Sequence, residues 1–131
     1  WINNKMLTIK TYISKSKIPE AGLGLFCGES VERGDIVWKN TKYSEIIYSE
    51  VEWDKLPSEF KDNVSIYVYK CKGYYHLNLD NSRHMNHSTN PSVIEDDNGN
   101  NVASFELSVG DEITCDYTKF YDGDWFGMTI K

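Results

Sequence analysis

Ser82-Arg83-His84-Met85-Asn86-His87-Ser88-Thr89-Asn90-Pro91-Ser92 is the stretch on which the reading of this chain turns. Its two histidines stand three apart, which first suggests a metal. Zinc takes three or four protein ligands, and no third Cys or His stands at a ligand spacing, so no metal is expected. Asn86-His87-Ser88 has the form of a glycosylation acceptor, which an intracellular protein does not use. Taken alone, the stretch reads as a polar turn whose Asn and Ser side chains bond nearby backbone.

Two further segments frame it. Gly22-Leu23-Gly24 lets the backbone approach a neighbour closely, because no Cβ intrudes. It is no dinucleotide fingerprint: Gly28 comes one position too late, and a strand follows where a helix is needed. On the other side lies Gly110-Asp111-Glu112-Ile113-Thr114-Cys115-Asp116-Tyr117. The carboxylates Asp111 and Glu112 flank a turn glycine and read as solvated, not as an acid/base pair. Tyr117 closes a strand, where its phenol either enters a pocket or lies half-buried.

The rest of the chain reads as short strands and tight turns. Leu7, Ile9, Thr11 and Ile13 alternate with the two-residue period of a half-buried strand. Glu32-Arg33-Gly34-Asp35 is a turn, and Ile36-Val37-Trp38 a short strand. Residues 44–63 are expected to hold one or two short helices, with Val51, Leu56 and Phe60 at helical spacing, Asp54 and Ser58 as caps, and Pro57 as a stop. Ser65–Tyr69 and Tyr74–Leu77 are aromatic and β-branched, hence strand-like. Asn98-Gly99 between Val93-Ile94 and Val102-Ala103 marks a hairpin. Ser104–Leu107 and Ile113–Cys115 are expected as strands around a Val109-Gly110-Asp111 turn.

The bulk properties bound the function. A chain of 131 residues points to one domain. Its 40% hydrophobic and 26% charged residues suit a folded globular protein, and no apolar run is long enough to span a membrane. No secretory leader is expected. The net charge of −6 argues against a direct nucleic-acid partner and is compatible with a basic one. Cys27, Cys71 and Cys115 are odd in number and widely spaced. They read as reduced thiols of an intracellular compartment, cytoplasmic or nuclear. Residues 1–5 precede Met6 and read as lying upstream of a natural start.

Each of the three segments is weak alone, but their order is specific. Together they resemble the SET-domain methyltransferases, and among these the short free-standing bacterial or viral proteins. Gly22-Leu23-Gly24-Leu25-Phe26 is similar to the family's G-x-G-L-F. Ser82-Arg83-x-x-Asn86-His87-Ser88-x-x-Pro91 is similar to its S-R-F-x-N-H-S-C-x-P-N. Ala103-x-x-Glu106-Leu107-x-x-Gly110-Asp111-Glu112-Ile113-Thr114-x-Asp116-Tyr117 is similar to its A-x-R-D-I-x-x-G-E-E-L-T-x-D-Y. The similarity runs from about Leu7 to at least Tyr117.

The resemblance implies a mostly-β SET fold: several small sheets of short strands, one or two short helices, and a knot-like C-terminal threading, as a single domain over residues 1–131. It implies a protein-lysine N-methyltransferase using S-adenosylmethionine, with a lysine-containing, histone-like substrate. Leu23, Gly24, Leu25, Arg83, Asn86, His87, Tyr117 and Trp125 would bind the cofactor. Tyr117 would be the catalytic tyrosine, and Tyr67 would line the lysine channel. The tail from 118 to 131, with Phe120, Tyr121, Trp125 and Phe126, would close the site. The family's zinc-binding C-x-C segment does not follow Tyr117. His84, Thr89, Ser92 and Phe105-Glu106 depart from the family pattern at positions read as packing. Cys115 stands where many members set the number of methyls with a larger residue. The alternative is a catalytically silent SET-like module that binds a basic peptide tail.

Overall fold

The computed structural model describes residues 6–41 and 43–119. Ten short strands dominate it: β1 Thr11–Lys15, β2 Leu23–Cys27, β3 Ile36–Trp38, β4 Glu45–Tyr48, β5 Val68–Cys71, β6 Tyr74–Asn78, β7 Asn86–His87, β8 Val93–Glu95, β9 Asn101–Ala103 and β10 Glu112–Cys115. Two short helices, α1 Glu50–Asp54 and α2 Ser58–Val64, lie between β4 and β5, and 3₁₀ turns span Asn81–His84 and Tyr117–Lys119. The strands form three small sheets, ordered β1-β2-β10-β7, β3-β9-β8 and β4-β6-β5. This is the mostly-β architecture of several small sheets that the sequence implied.

The alternation at the N-terminus holds: Leu7, Ile9, Thr11 and Ile13 are half-buried while Thr8, Lys10 and Tyr12 face out. The regular strand starts only at Thr11, because Leu7 is used as a single bridge to Trp38. β8 and β9 form the expected hairpin. Its five-residue loop is tied by Asp96, whose Oδ1 accepts from the N–H groups of Asn98 and Asn100, and Gly99 takes the positive φ of 80° that the turn requires.

Residues 44–63 differ in detail. The helix start is Ser49, which accepts from Glu52 N while the Glu52 carboxylate accepts from Ser49 N, a capping box. Asp54 ends α1, and Pro57, not Ser58, precedes the first residue of α2. The anchor is Trp53, while Val51 is 63% exposed. Trp53 stacks on Tyr75 at 4.8 Å and meets Tyr48 edge-on at 5.8 Å, which outweighs the weak helical spacing.

One expected strand starts late and another is absent. Ser65–Tyr67 leaves α2 as a turn, with Tyr67 N–H donating to Val64 O and Ile66 exposed, so regular pairing starts only at Val68. In Ser104–Leu107 the backbone is drawn to different partners: Ser104 N–H goes to Ser92 O, and only Leu107 pairs, with Val31.

The main core gathers Leu25, Cys27, Val31, Val37, Met85, Val93, Leu107, Ile113 and Cys115 between the four-stranded sheet and β8–β9. Burying a side chain such as Leu25, Leu107 or Ile113 contributes about 1.5–3 kcal/mol. A second cluster of Trp53, Val68 and Leu77 holds α1 and α2 onto β4-β6-β5. β10 lies between β2, its antiparallel neighbour, and β7, its parallel one. A late strand thus inserts between two earlier ones, and this insertion brings the outer motifs together. No helix among the described residues is long and apolar enough to cross a membrane.

Candidate functional site

The register of β7 and β10 builds the site. Thr114 pairs with Asn86 and Cys115 with His87, so the Asn-His pair stands beside the end of β10, two residues before Tyr117. The stretch that leads in is a 3₁₀ turn capped by Asp80, which accepts from both the N–H and the hydroxyl of Ser82. It leaves Arg83 exposed and His84 half-buried, and buries Met85. Asn86-His87 is therefore a short strand and not part of a free turn.

Glu112 is not solvated. Its carboxylate accepts from Ser16 Oγ at 2.8 and 3.0 Å, from Lys17 N at 2.9 Å and from Asn86 Nδ2 at 3.0 Å. It ties the turn after β1, strand β7 and strand β10 at one point. Asn86 Nδ2 also donates to Leu23 O at 2.9 Å. Both amide hydrogens are then spent, and Oδ1 is the atom left to accept from a ligand. The same knot explains Gly24: a Cβ there would lie 2.6 Å from Glu112 Oε2 and 3.3 Å from Asn86 Nδ2. The close approach anticipated for this glycine is to the protein's own side chains.

Tyr117 is held from two sides. Its hydroxyl donates to Met85 O at 2.6 Å and its N–H donates to His87 Nδ1 at 3.0 Å. An accepting Nδ1 places the His87 proton on Nε2, so the 3.7 Å approach of Asp116 to Nδ1 is not an ion pair. Burial, reinforced by the Cys115 thiol, pushes the Tyr117 phenol well above its usual range. Burial, then the Asp116 charge, pushes the Cys115 thiol up to about 12. Both groups carry their protons at neutral pH.

Tyr67 forms a wall. The Arg83 guanidinium lies 4.6 Å from its ring centre and His84 meets it edge-on at 5.4 Å. Burial and the adjacent Arg83 charge lower the His84 pKa, which keeps the imidazole neutral. Of the paired histidines, one packs on a wall and the other fixes a tyrosine.

Two cavities meet at this wall. The larger, about 460 Å³, is bounded by the Ile18–Leu23 loop, Arg83, His84, Asn86 and His87. The smaller, about 130 Å³, is bounded by Trp38, Glu45, Tyr69, Asn78, Glu95 and Cys115. Ile66, Tyr67, Arg83, Met85 and Tyr117 line both.

The fold thus gathers Leu23, Tyr67, Arg83, Asn86, His87 and Tyr117 at one place. Gly24 abuts Glu112 and Leu25 turns its side chain into the core, so any contact these two make with a ligand is through backbone. Trp125 and the other tail aromatics lie outside the described residues. Sequence reading took Glu112 as solvated and assigned no role to Met85, Glu45 or Glu95. Glu112 and its partner Ser16 stand 96 residues apart, so no local pattern marks them. Ser92 was a packing position by resemblance, and it is one with a polar role. Buried to 3% exposure, its hydroxyl accepts from Thr114 N at 2.7 Å and pins the start of β8 to β10.

The SET domain model matches residues 22–118, from the glycine before β2 to the residue after Tyr117. The chain belongs to the SET domain family.

This membership supports methyltransferase-type chemistry at the level of the family. No curated protein matches the sequence significantly. Among solved structures, a Chaetomium thermophilum Polycomb repressive complex 2, autoinhibited and bound to S-adenosylmethionine, is similar at a TM-score of 0.63 and 19% identity, over 86% of this chain and 16% of the other. A Plasmodium falciparum protein, provisionally assigned as a histone methyltransferase, is similar at a TM-score of 0.56 and 23% identity, over 91% of this chain and 98% of the other. The SET domain described here spans a small part of the Polycomb chains, and these likenesses speak to fold alone.

Proposed function

We propose that the chain is a protein-lysine N-methyltransferase that uses S-adenosylmethionine. The observation that carries the reading is the meeting of two unequal cavities at Tyr117 and Tyr67. The larger suits a bulky nucleoside cofactor and the smaller a slender side chain.

The residues fit the cofactor. Asn86 offers Oδ1 to an ammonium, Arg83 offers a cation to a carboxylate, and the exposed Leu23 and the loop before it offer backbone and apolar surface. When bound, S-adenosylmethionine supplies a methyl on a sulfonium, which leaves as a neutral thioether.

The chain's own residues then have two tasks. One is to present a neutral amine, since free lysine has a pKa of about 10.4. A cationic sulfonium held beside Tyr117 would disfavour the ammonium by charge repulsion. The amine proton goes to water before attack. The second task is alignment. Tyr117 keeps its own proton, spent on Met85 O, so it acts by position and not as a base. Its oxygen lone pairs remain to orient the reacting groups, and such positioning supplies much of the acceleration.

The test is incubation with radiolabelled S-adenosylmethionine and Lys-rich proteins, histones included. Label on lysine, lost in Tyr117→Phe, is expected. No transfer to any lysine, together with no cofactor binding by calorimetry, refutes the reading.

A further inference from the structure

We infer that Glu20, on the loop between β1 and β2, takes the α-ammonium of the cofactor and sets a preference for ligands with an intact amino-acid end. The inference rests on the lysine-methyltransferase reading and adds a specificity-determining residue to its cofactor site.

The backbone singles this residue out. Ala21 N–H donates to Ile18 O at 3.2 Å, closing a tight turn with Pro19 in second place and Glu20 in third. Glu20 has a φ of 64°. Proline in second place and positive φ in third describe a type II turn, whose third place ordinarily falls to glycine or asparagine. A residue with a Cβ is strained there, and such strain persists where the surrounding structure imposes it and function uses it. The turn is firmly held. Ser16 N–H donates to Gly22 O at 2.8 Å across the loop, and Ser16 Oγ accepts from Ile18 N at 3.0 Å. The Glu112 carboxylate accepts from Ser16 Oγ and Lys17 N on this side and from Asn86 Nδ2 on the other. One carboxylate therefore registers the turn against Asn86.

The charges around the larger cavity supply the ligand chemistry. Among the described residues that bound it, Glu20 and Arg83 bear the formal charges, one of each sign. His84 is held neutral, and His87 accepts through Nδ1. An amino-acid end is a zwitterion and needs one partner of each sign. Arg83 suits its carboxylate, which leaves Glu20 for its ammonium. Asn86 Oδ1 does not exhaust that group, because an ammonium carries three donors and one acceptor satisfies one of them. A hydrogen bond between ammonium and carboxylate is also stronger than one to a neutral amide.

The test measures the binding of two probes by calorimetry. One is S-adenosylhomocysteine. The other is 5′-S-(3-carboxypropyl)-5′-thioadenosine, which keeps the nucleoside, the thioether and the carboxylate and lacks the ammonium. Glu20→Gln is expected to weaken S-adenosylhomocysteine about tenfold, the scale of one charge-assisted hydrogen bond, and to leave the second probe within about twofold of the wild type. Glu20→Gly is expected to lose the same affinity while its urea midpoint stays level or rises, because glycine suits the positive φ. Equal losses for the two probes, or no loss for either, overturn the inference. A urea midpoint that falls in Glu20→Gly also overturns it, since the side chain then serves the fold. If the wild type binds no S-adenosylhomocysteine, the methyltransferase reading falls and this inference with it. Binding that is indifferent to residue 20 strikes only this one.

Discussion

Asn86 Nδ2 donates to Glu112 Oε2 at 3.0 Å, joining residues 26 apart on the neighbouring parallel strands β7 and β10. The bond fixes the amide of Asn86 with its oxygen unspent, in the wall of the larger cavity. Every partner of the Glu112 carboxylate is a donor, so the residue works only as an acceptor. Glu112→Gln turns an NH₂ toward one of those donors. It is expected to cost about 1–3 kcal/mol of stability and to weaken binding of S-adenosylhomocysteine about tenfold, the scale of one lost polar contact. Urea unfolding and calorimetry read the two effects, and an unchanged pair of values would contradict this account.

Gly24→Ala places a methyl against the same carboxylate. With Glu112 held by three other groups, the side chain has little freedom to retreat, and a loss of about 1–3 kcal/mol is expected. In a Glu112→Ala background the penalty should shrink, because the obstacle is gone. An additive double mutant would mean that Gly24 is needed for some other reason.

Tyr117→Phe removes the hydroxyl that donates to Met85 O and leaves the ring in place. A fall in kcat of about 100-fold is expected, the scale of a misaligned reaction. Because burial holds the phenol proton well above neutrality, the wild-type rate should rise with pH as lysine loses its proton. No downturn from Tyr117 should appear up to about pH 10, the ordinary phenol value. A titration below pH 9 that disappears in Tyr117→Phe would make this residue a base after all.

Alkaline stability follows from the buried thiols. Burial first, then Asp111 and Glu29, raise Cys27 from 9.0 to about 11, and burial first, then Asp116, raise Cys115 from 9.0 to about 12. Folded values above the unfolded ones mean that the unfolded chain loses its protons first. The stability these groups carry is whole below about pH 9 and is lost as pH rises through the folded values. The urea midpoint should fall between pH 8.5 and 10.5, and Cys27→Ala should flatten the slope. A midpoint independent of pH over that range would contradict the assignment.

Trp53→Ala tests the second cluster. Trp53 is 3% exposed and contacts the rings of Tyr48 and Tyr75. A loss of about 3–5 kcal/mol is expected from the large cavity left behind. A loss under 1 kcal/mol would show that α1 is not held by this residue.

Much of the fold was legible in the chain. The Asn98-Gly99 hairpin, the Glu32–Asp35 turn and strands β3, β6 and β10 follow from local chemistry: glycine at positive φ, and β-branched or aromatic residues on pleated backbone. The failures share a cause. Ser104–Leu107 has the composition of a strand, yet its backbone is claimed by Ser92 and Val31, which propensity does not register. Val51 has helical spacing but no core to face, because Trp53 takes the buried position against Tyr75.

The candidate site divides in the same way. The residue types and their order belong to the sequence alone: Gly22-Leu23-Gly24, Arg83, Asn86-His87 and Tyr117, with a membership in the SET domain family that needs no coordinates. Only the tertiary structure decided what those residues do to one another. Glu112 became the acceptor at the centre of the knot, Tyr117 kept its proton against Met85, and Tyr67 became a wall between two cavities. The reason is distance along the chain. Ser16 and Glu112 are 96 residues apart, and Met85 and Tyr117 are 32 apart. Hydrogen bonds and burial act over a few ångströms of space, and it is the insertion of β10 between β2 and β7 that turns those separations into contacts.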